Sequence, residues 1–370
     1  MLTATMFLAS FAWALVYVAL PFHIEGLTTV GSAATLAWTG WILGITSLGA
    51  VVSGVVWSRF AERHDPKAAC VWVYSLQSIG FLATGLARSL PELFLARLAL
   101  GGVGPASTFA FLLASRTPDP AVMRRRLAAV QSAIMVGQVL GPLPGALAAA
   151  RLGFRLTFFL GGLILASCGA LLQWGMATPP APATPAAERR HFPVRRVVTA
   201  SALVLLASSQ ETFLAAVLPR ILPGLGVAPD GTLEAAGLLL FASGAAAAVG
   251  GLAAPYLAEQ VSERRALVWL LGSSSVGLVL LGTAGSLWSF TLVRVLQSLC
   301  VAPFFSLVVA RIARHGGDAI GIVNAARIGS GFLGPLVATT LLTAGPPALL
   351  CAALGGIGLV AALRLRRLRF

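Results

Sequence analysis

A single carboxylate stands deep inside an apolar run of this sequence, where it could carry a proton. Glu211 follows Gln210 in a segment predicted to cross a membrane, whereas the other acidic residues lie in loops or near helix ends. A low-dielectric surrounding disfavours the charged form of a carboxyl, which is what a proton carrier needs. Glu211 is therefore a candidate for proton coupling. The alternative is a structural carboxyl that is hydrogen-bonded at a helix interface.

Three arginines also fall inside apolar runs: Arg97, Arg294 and Arg327. An arginine in the middle of a membrane helix costs about 2.5–3.5 kcal/mol on insertion scales, so it should face a partner or a water-filled cavity. We expect Arg97 to act with Glu211 in proton coupling. The alternative for Arg97 and for Arg327 is that the long side chain reaches to the membrane surface.

Aromatic and amide side chains could line a cavity for an organic substrate. Several recur at helical spacing on one face, as expected for residues that point the same way. The predicted substrate cavity is formed by Ser10, Trp13, Tyr17, Gln131, Gln138, Gln210, Asn324 and Arg327. Aromatic rings opposite a carboxylate suit a lipophilic, often cationic, molecule. Packing against lipid or other helices is the alternative for the aromatic residues, and interhelical hydrogen bonding is the alternative for the amides.

The elements that position these residues are membrane helices. Of the 370 residues, 58% are hydrophobic and 10% are charged, too few charges to cover a soluble protein of this length. The apolar runs have the length needed to cross a hydrocarbon core. The predicted spans are 4–24, 36–57, 68–87, 90–114, 127–150, 154–176, 197–219, 233–257, 265–284, 286–310, 319–343 and 346–364. The fold class is therefore an all-α polytopic membrane protein.

Charge distribution predicts orientation. Nineteen of the 26 Lys and Arg residues lie on one side of the predicted spans, four lie on the other side and three lie inside spans. Such a bias places the basic side in the cytoplasm, with both termini there, in the cell (inner) membrane. The net charge of +14 is then a topology signal rather than evidence for nucleic-acid binding.

The chain repeats itself at a nearly constant offset. Gly40, Glu62 and Arg97 match residues 197 positions later, and the Gly141-Pro142 pair matches Gly334-Pro335. We therefore expect two pseudo-symmetric six-helix halves, 1–176 and 197–370, joined by a Pro-rich basic cytoplasmic linker at 177–196. Two such halves suit a transporter that works by alternating access.

The whole chain resembles the major facilitator superfamily, and three motifs carry the resemblance. After the second helix, the family's G-x-x-x-D-R-x-G-R-[RK] gating motif is matched in kind by Gly54, Arg59, Arg63 and Lys67, with Ala61 in the place of the second Gly. Ser58 stands where the family has Asp, and Glu62 is a possible substitute acid. Arg97 opens a segment similar to the R-x-x-x-G-x-G motif in the fourth helix.

The third motif lies in the fifth helix, where the family's antiporter pattern G-x-x-x-G-P-x-x-G is matched by Gly137, Gly141, Pro142 and Gly145. Glycines four residues apart form a smooth groove for a neighbouring helix, and proline bends the axis. The resemblance implies a twelve-helix drug/proton antiporter, monomeric in the lipid bilayer, that exports small amphipathic compounds in exchange for protons. The alternatives are a facilitator or symporter for a small metabolite, or a membrane sensor or scaffold that does not transport.

Enzyme chemistry and cofactors are not expected. The four histidines have no Cys or carboxylate at metal-ligand spacing, and the sequence has no G-x-x-x-x-G-K-[ST] loop for nucleotide phosphates. Energy for transport should therefore come from an ion gradient.

Overall fold

The computed structural model describes residues 1–117, 119–176, 194–312 and 317–367. The described residues form sixteen α-helices and no β-strand. The helices are α1 Leu2–Leu27, α2 Ser32–Arg63, α3 Pro66–Leu86, α4 Leu90–Gly102, α5 Ala106–Ser115, α6 Pro120–Leu140, α7 Pro142–Leu152, α8 Phe154–Gly175, α9 Val194–Thr212, α10 Leu214–Ile221, α11 Thr232–Leu252, α12 Ala254–Gln260, α13 Glu263–Leu281, α14 Leu287–Ile312, α15 Gly317–Ala344 and α16 Pro347–Arg367.

These helices make twelve spans in the described part of the chain. Eleven are long and apolar enough to cross a membrane, and the twelfth is the pair α6 and α7, which is bent by 40°. Each span corresponds to one of the twelve predicted from hydropathy. The prediction of an all-helical, twelve-span membrane fold is therefore confirmed.

Several spans are broken into two helices, and the breaks follow from local sequence. Between α4 and α5, Gly104 has a φ of 78°, a conformation that other residues rarely adopt, and Pro105 follows it. Between α6 and α7, Pro142 lacks the N–H that would continue the helix ladder through Gly141. The breaks place irregular backbone inside the membrane spans, where it needs polar partners.

Helix ends differ from the predicted boundaries where charged residues continue a helix. α2 extends to Arg63, beyond the predicted end at 57, so the gating motif lies on a helix rather than in a loop. α9 begins at Val194, within the predicted linker, because arginine is a good helix former. Residues 177–193 of the linker lie outside the described residues, so the linker stays a prediction.

Contacts divide the chain into two compact units. One comprises Met1–Thr29 with Ile45–Ala187, and the other comprises Val30–Gly44 with Glu188–Phe370. Residues 30–44 belong to the second unit because Gly40 and Gly44 pack directly against α15. A Cβ atom at Gly44 would lie 3.1 Å from the Phe332 carbonyl oxygen, so a larger residue would push the helices apart.

The two units repeat the same internal contacts. Gly162 on α8 packs on the Ser78 carbonyl, and Gly355 on α16 packs on the Ser275 carbonyl. Gly141 packs on α1, and Gly334 packs in the same way on α9. The contacting residues are related by the offsets found in the sequence, so repeat-related positions make equivalent helix contacts within each unit.

Candidate functional site

A cluster around Arg97 occupies the first unit, where α1, α3 and the α4–α5 break meet. The Trp13 indole N–H donates to the Gln77 side-chain oxygen over 3.2 Å, and the Gln77 amide donates to the Gly104 carbonyl over 2.9 Å. Gln77 is 3% exposed. This glutamine therefore satisfies the backbone at the break and fixes the indole ring of Trp13.

The Arg97 guanidinium lies over that ring, with its central carbon 5.6 Å from the ring centroid. This separation allows a cation–π attraction. Arg97 is 2% exposed, and its Nε and one terminal nitrogen have no hydrogen-bond partner among the described residues. Tyr17 is half-buried and lies within electrostatic range of Arg97. A buried cation with unused donors is a candidate partner for an acceptor that enters from outside the protein.

A second cluster occupies the equivalent place in the second unit. The Arg294 guanidinium donates to the backbone carbonyls of Gln210 and Glu211, over 2.8 and 3.1 Å. It also donates to the Gln297 side-chain oxygen over 2.5 Å. Arg294 is 3% exposed, and both carbonyls lie just before the interruption of the span at Phe213. Arg294 therefore ties α14 to the end of α9.

Buried amides and hydroxyls extend this cluster to α13. The Gln210 amide donates to the Ser275 hydroxyl over 3.0 Å, and the Ser274 hydroxyl donates to the Gln210 side-chain oxygen over 2.6 Å. The Gln297 amide donates to the Ser274 hydroxyl over 2.9 Å. Each amide is paired, as burial in a membrane protein requires.

The Glu211 carboxylate stands beside this network without joining it. The side chain is half-buried, and it has no hydrogen bond or ion pair to any described residue. Arg294 and Arg327 both lie within electrostatic range of it. A carboxylate that lies near two cations but is hydrogen-bonded to neither can exchange a proton without breaking a hydrogen bond first.

Other predicted cavity residues are distributed unevenly. Ser10 is buried at the α1–α6 contact beside Gly137, and Gln210 is fully buried in the network with α13. These two face neighbouring helices rather than open space, because each lies on the side of its helix that packs against protein. Gln131 and Gln138 are exposed and form no hydrogen bond to the described residues.

Arg327 and Asn324 form a pair on α15. The Arg327 Nε donates to the Asn324 side-chain oxygen over 3.2 Å, and the guanidinium carbon lies 4.9 Å from the centroid of the Phe305 ring. The Arg327 side chain is exposed. It is therefore oriented by two neighbours while its remaining donors stay available.

The glycines of the fifth span form the expected groove. A Cβ atom at Gly137 would lie 2.8 Å from the Phe11 nitrogen, and one at Gly141 would lie 2.7 Å from the Phe11 carbonyl oxygen. Gly145 packs as closely on Leu15. Pro142 begins α7 at the 40° bend. The motif therefore shapes the contact with α1, the helix that carries Trp13.

The gating motif is described only in part. Gly54 has no neighbour within 4 Å of the position a Cβ would take. The side chains of Ser58, Arg59, Glu62 and Arg63 lie outside the described part of the structure. Their part in a gate therefore stays a prediction.

Gln77 and Gln297 were not predicted as site residues, and Arg294 was predicted to need a partner but was given no role. Arg294 lies 197 residues after Arg97, and Ser274 lies 197 residues after Gln77. The repeat offset therefore relates Arg294 and Ser274 to the first cluster, whereas Gln297 has Leu100 as its counterpart. No group of His, Cys, Asp and Glu in the described residues could hold a metal ion.

Known proteins share this sequence pattern and this fold. The chain is 27% identical to the multidrug resistance protein MdtG of Serratia proteamaculans over 308 residues, which cover 78% of this chain and 72% of that protein. It is 28% identical to the uncharacterized MFS-type transporter YuxJ of Bacillus subtilis over 158 residues, 42% of this chain and only 40% of that relative.

Solved structures match over nearly the whole chain. The nucleoside transporter NupG superposes with a TM-score of 0.80 at 11% identity, covering 99% of this chain and 97% of that chain. A D-xylose-proton symporter superposes with a TM-score of 0.76 at 15% identity, covering 98% and 96%. At these identities the likeness shows the fold alone.

The family model described as Major Facilitator Superfamily matches residues 2–228, which is more than half of the chain. The members and relatives found are transporters, so the expectation that this protein is not an enzyme is confirmed. The broken spans, the repeated helix contacts and the buried polar clusters are thus features of a membrane transporter, and the chain belongs to the Major Facilitator Superfamily.

Proposed function

We propose that this transporter exports small amphipathic compounds in exchange for protons by alternating access. One observation carries the proposal: the half-buried Glu211 carboxylate lies within electrostatic range of Arg294 and Arg327 but forms no ion pair with either. Loss of its charge on protonation would remove its attraction to both arginines. Since Arg294 also holds the Glu211 backbone, a change in charge there acts on the junction of α9 and α10.

The substrate class follows from the cluster in the first unit. Trp13 offers an aromatic surface whose N–H is already used by Gln77. Such a surface suits flat, lipophilic molecules. A positive charge on the substrate would be favoured by the Glu211 carboxylate of the second unit rather than by the Arg97 cluster. The multidrug resistance proteins named MdtG, together with the Gly-Pro groove of the fifth span, support export over uptake.

We also propose a membrane, an orientation and a set of partners for the protein. We place the protein in the cell (inner) membrane with both termini in the cytoplasm, on the strength of the Lys and Arg asymmetry. The small-molecule substrate and protons are its partners, with the lipid bilayer as solvent, and it acts as a monomer.

Proton flux in proteoliposomes tests the proposal. Ethidium and tetraphenylphosphonium are applied to wild-type protein, Glu211→Gln and the control Glu234→Gln, which removes an exposed acid at the start of α11. We expect the substrate-driven proton flux of Glu211→Gln to be at least tenfold lower than that of wild type. Exchange of substrate in the absence of a proton gradient should persist. Glu234→Gln should behave as wild type.

Retention of full proton coupling in Glu211→Gln would refute the role of this carboxylate. If neither cation moves with the wild-type protein, a panel of nucleosides and sugars tests the alternative of a metabolite facilitator or symporter. Failure of every substrate would favour the sensor or scaffold.

A further inference from the structure

A groove opens on the surface of the second unit, beside the Arg294 cluster. Helices α13, α14 and α16 enclose a cavity of about 950 Å³. Its walls are mostly apolar, and several of their side chains are exposed. The apolar lining includes Val268, Trp269, Val276, Leu280, Leu296 and Leu363. In a membrane protein, such a surface faces acyl chains.

Three arginines stand at one end of this groove. Arg264 donates through its guanidinium to the backbone carbonyls of Leu365 and Arg366, which fixes the start of α13 against the end of α16. Arg265 and Arg366 line the groove and are exposed. Within the described ranges, neither has a carboxylate partner. The adjacent acid, Glu263, is already paired with Arg311, over 3.2 Å.

The first unit provides a comparison within the same chain. Lys67 donates to the Gln173 carbonyl over 2.8 Å, and these residues are the repeat counterparts of Arg264 and Arg366. Ala68 stands at the counterpart of Arg265. The fold therefore requires only one cation to join these helix ends. The two extra arginines of the second unit need another explanation.

Trp269 indicates the depth of these arginines in the membrane. It lies one helical turn after Arg265, lines the groove and is 74% exposed. Exposed tryptophans of membrane proteins concentrate at the level of the lipid headgroups. Cations beside a headgroup-level tryptophan, above an apolar groove, complement a molecule with an anionic head and an apolar tail.

We propose that this groove binds one anionic phospholipid. Arg265 and Arg366 hold the phosphate group, and an acyl chain lies along the apolar walls. Basic pockets between membrane helices recognise anionic headgroups in this way. A zwitterionic phospholipid would gain less, because its positive group meets the same two arginines.

Occupancy of the groove would also bear on the transport machinery. Gln297 contributes to the inner wall, and its side-chain oxygen accepts from Arg294. A bound acyl chain would therefore exclude water from the outer side of the network that holds the Glu211 backbone. The binding site itself does not depend on the proposed transport function.

Native mass spectrometry of the full chain tests the proposal with phosphatidylglycerol and phosphatidylcholine. The double variant Arg265→Ala/Arg366→Gln gives the groove the residues that the first unit carries. The control Arg195→Ala/Arg196→Ala removes equal charge from exposed positions at the start of α9. We expect one phosphatidylglycerol bound to wild type and to the control. The double variant should bind it about 30-fold more weakly, as expected for two lost cations.

A second variant tests the apolar part of the groove without changing charge. Gly272 lines the groove and has only the Ala362 Cβ, at 4.0 Å, near the position its own Cβ would take. Gly272→Leu should fold normally, fill the groove and lower phosphatidylglycerol binding while all arginines remain. Equal losses in the α9 control, equal binding of both lipids to wild type, or unchanged binding in both groove variants would each overturn the proposal.

Discussion

Replacing Arg294 by lysine should destabilise the protein because one ammonium group cannot reach three separate acceptors. The guanidinium donates to the carbonyls of Gln210 and Glu211 and to the side chain of Gln297. Lysine keeps the positive charge but presents a single nitrogen. We expect it to retain one of these three contacts and to leave the end of α9 less firmly attached to α14.

The expected magnitude follows from the two lost contacts. Interhelical hydrogen bonds in membrane proteins contribute on average about 0.6 kcal/mol and at most about 1.7 kcal/mol each. Loss of two therefore lowers the free energy of unfolding by about 1–3 kcal/mol. The shortest contact, to Gln297 at 2.5 Å, involves a charged donor, which favours the upper part of that range.

The repeat supplies a matched control, Arg97→Lys. Arg97 is as buried as Arg294, but its Nε and one terminal nitrogen have no acceptor among the described residues. Its replacement should change the free energy of unfolding by less than about 1 kcal/mol, the scale of a lost cation–π contact. Both variants are measured by equilibrium unfolding in mixed micelles with increasing dodecyl sulfate.

Two results would contradict this reasoning. Equal destabilisation by the two substitutions would mean that charge geometry at both sites matters more than the hydrogen bonds of Arg294. A larger effect for Arg97→Lys would mean that the guanidinium of Arg97 contributes more to the free energy of unfolding than that of Arg294.

Two further predictions concern packing and orientation. Gly145→Leu should destabilise the protein by about 1–3 kcal/mol, because its Cβ would lie 2.7 Å from the Leu15 Cα. Gly321→Leu should not destabilise it, because no atom lies within 4 Å of the added Cβ. Equal melting temperatures of the two variants would contradict the groove assignment. Alkaline phosphatase fused to the C-terminus should be inactive in bacterial cells, and a fusion after Gly226 should be active. The reverse pattern would invert the proposed topology.

Hydropathy along the sequence was sufficient to predict the spans. A segment that crosses lipid must be apolar over a fixed length, so composition along the chain reports it directly. The glycine groove of the fifth span was also predictable, because close helix approach requires residues without a side chain at regular spacing. Gly137 and Gly141 lie against α1 as that spacing indicated.

Only the tertiary structure decided which polar residues meet. Glu211 and Gln210 are neighbours in sequence, yet the amide is buried in a network with Ser274 and Ser275 while the carboxylate stands apart. Hydropathy cannot show whether a side chain packs against neighbouring helices or stands apart from them, because the lipid-facing and protein-facing sides of a membrane helix are both apolar. The main acceptors of Arg294 are backbone carbonyls, which every residue possesses, so no pattern of side chains could have indicated them.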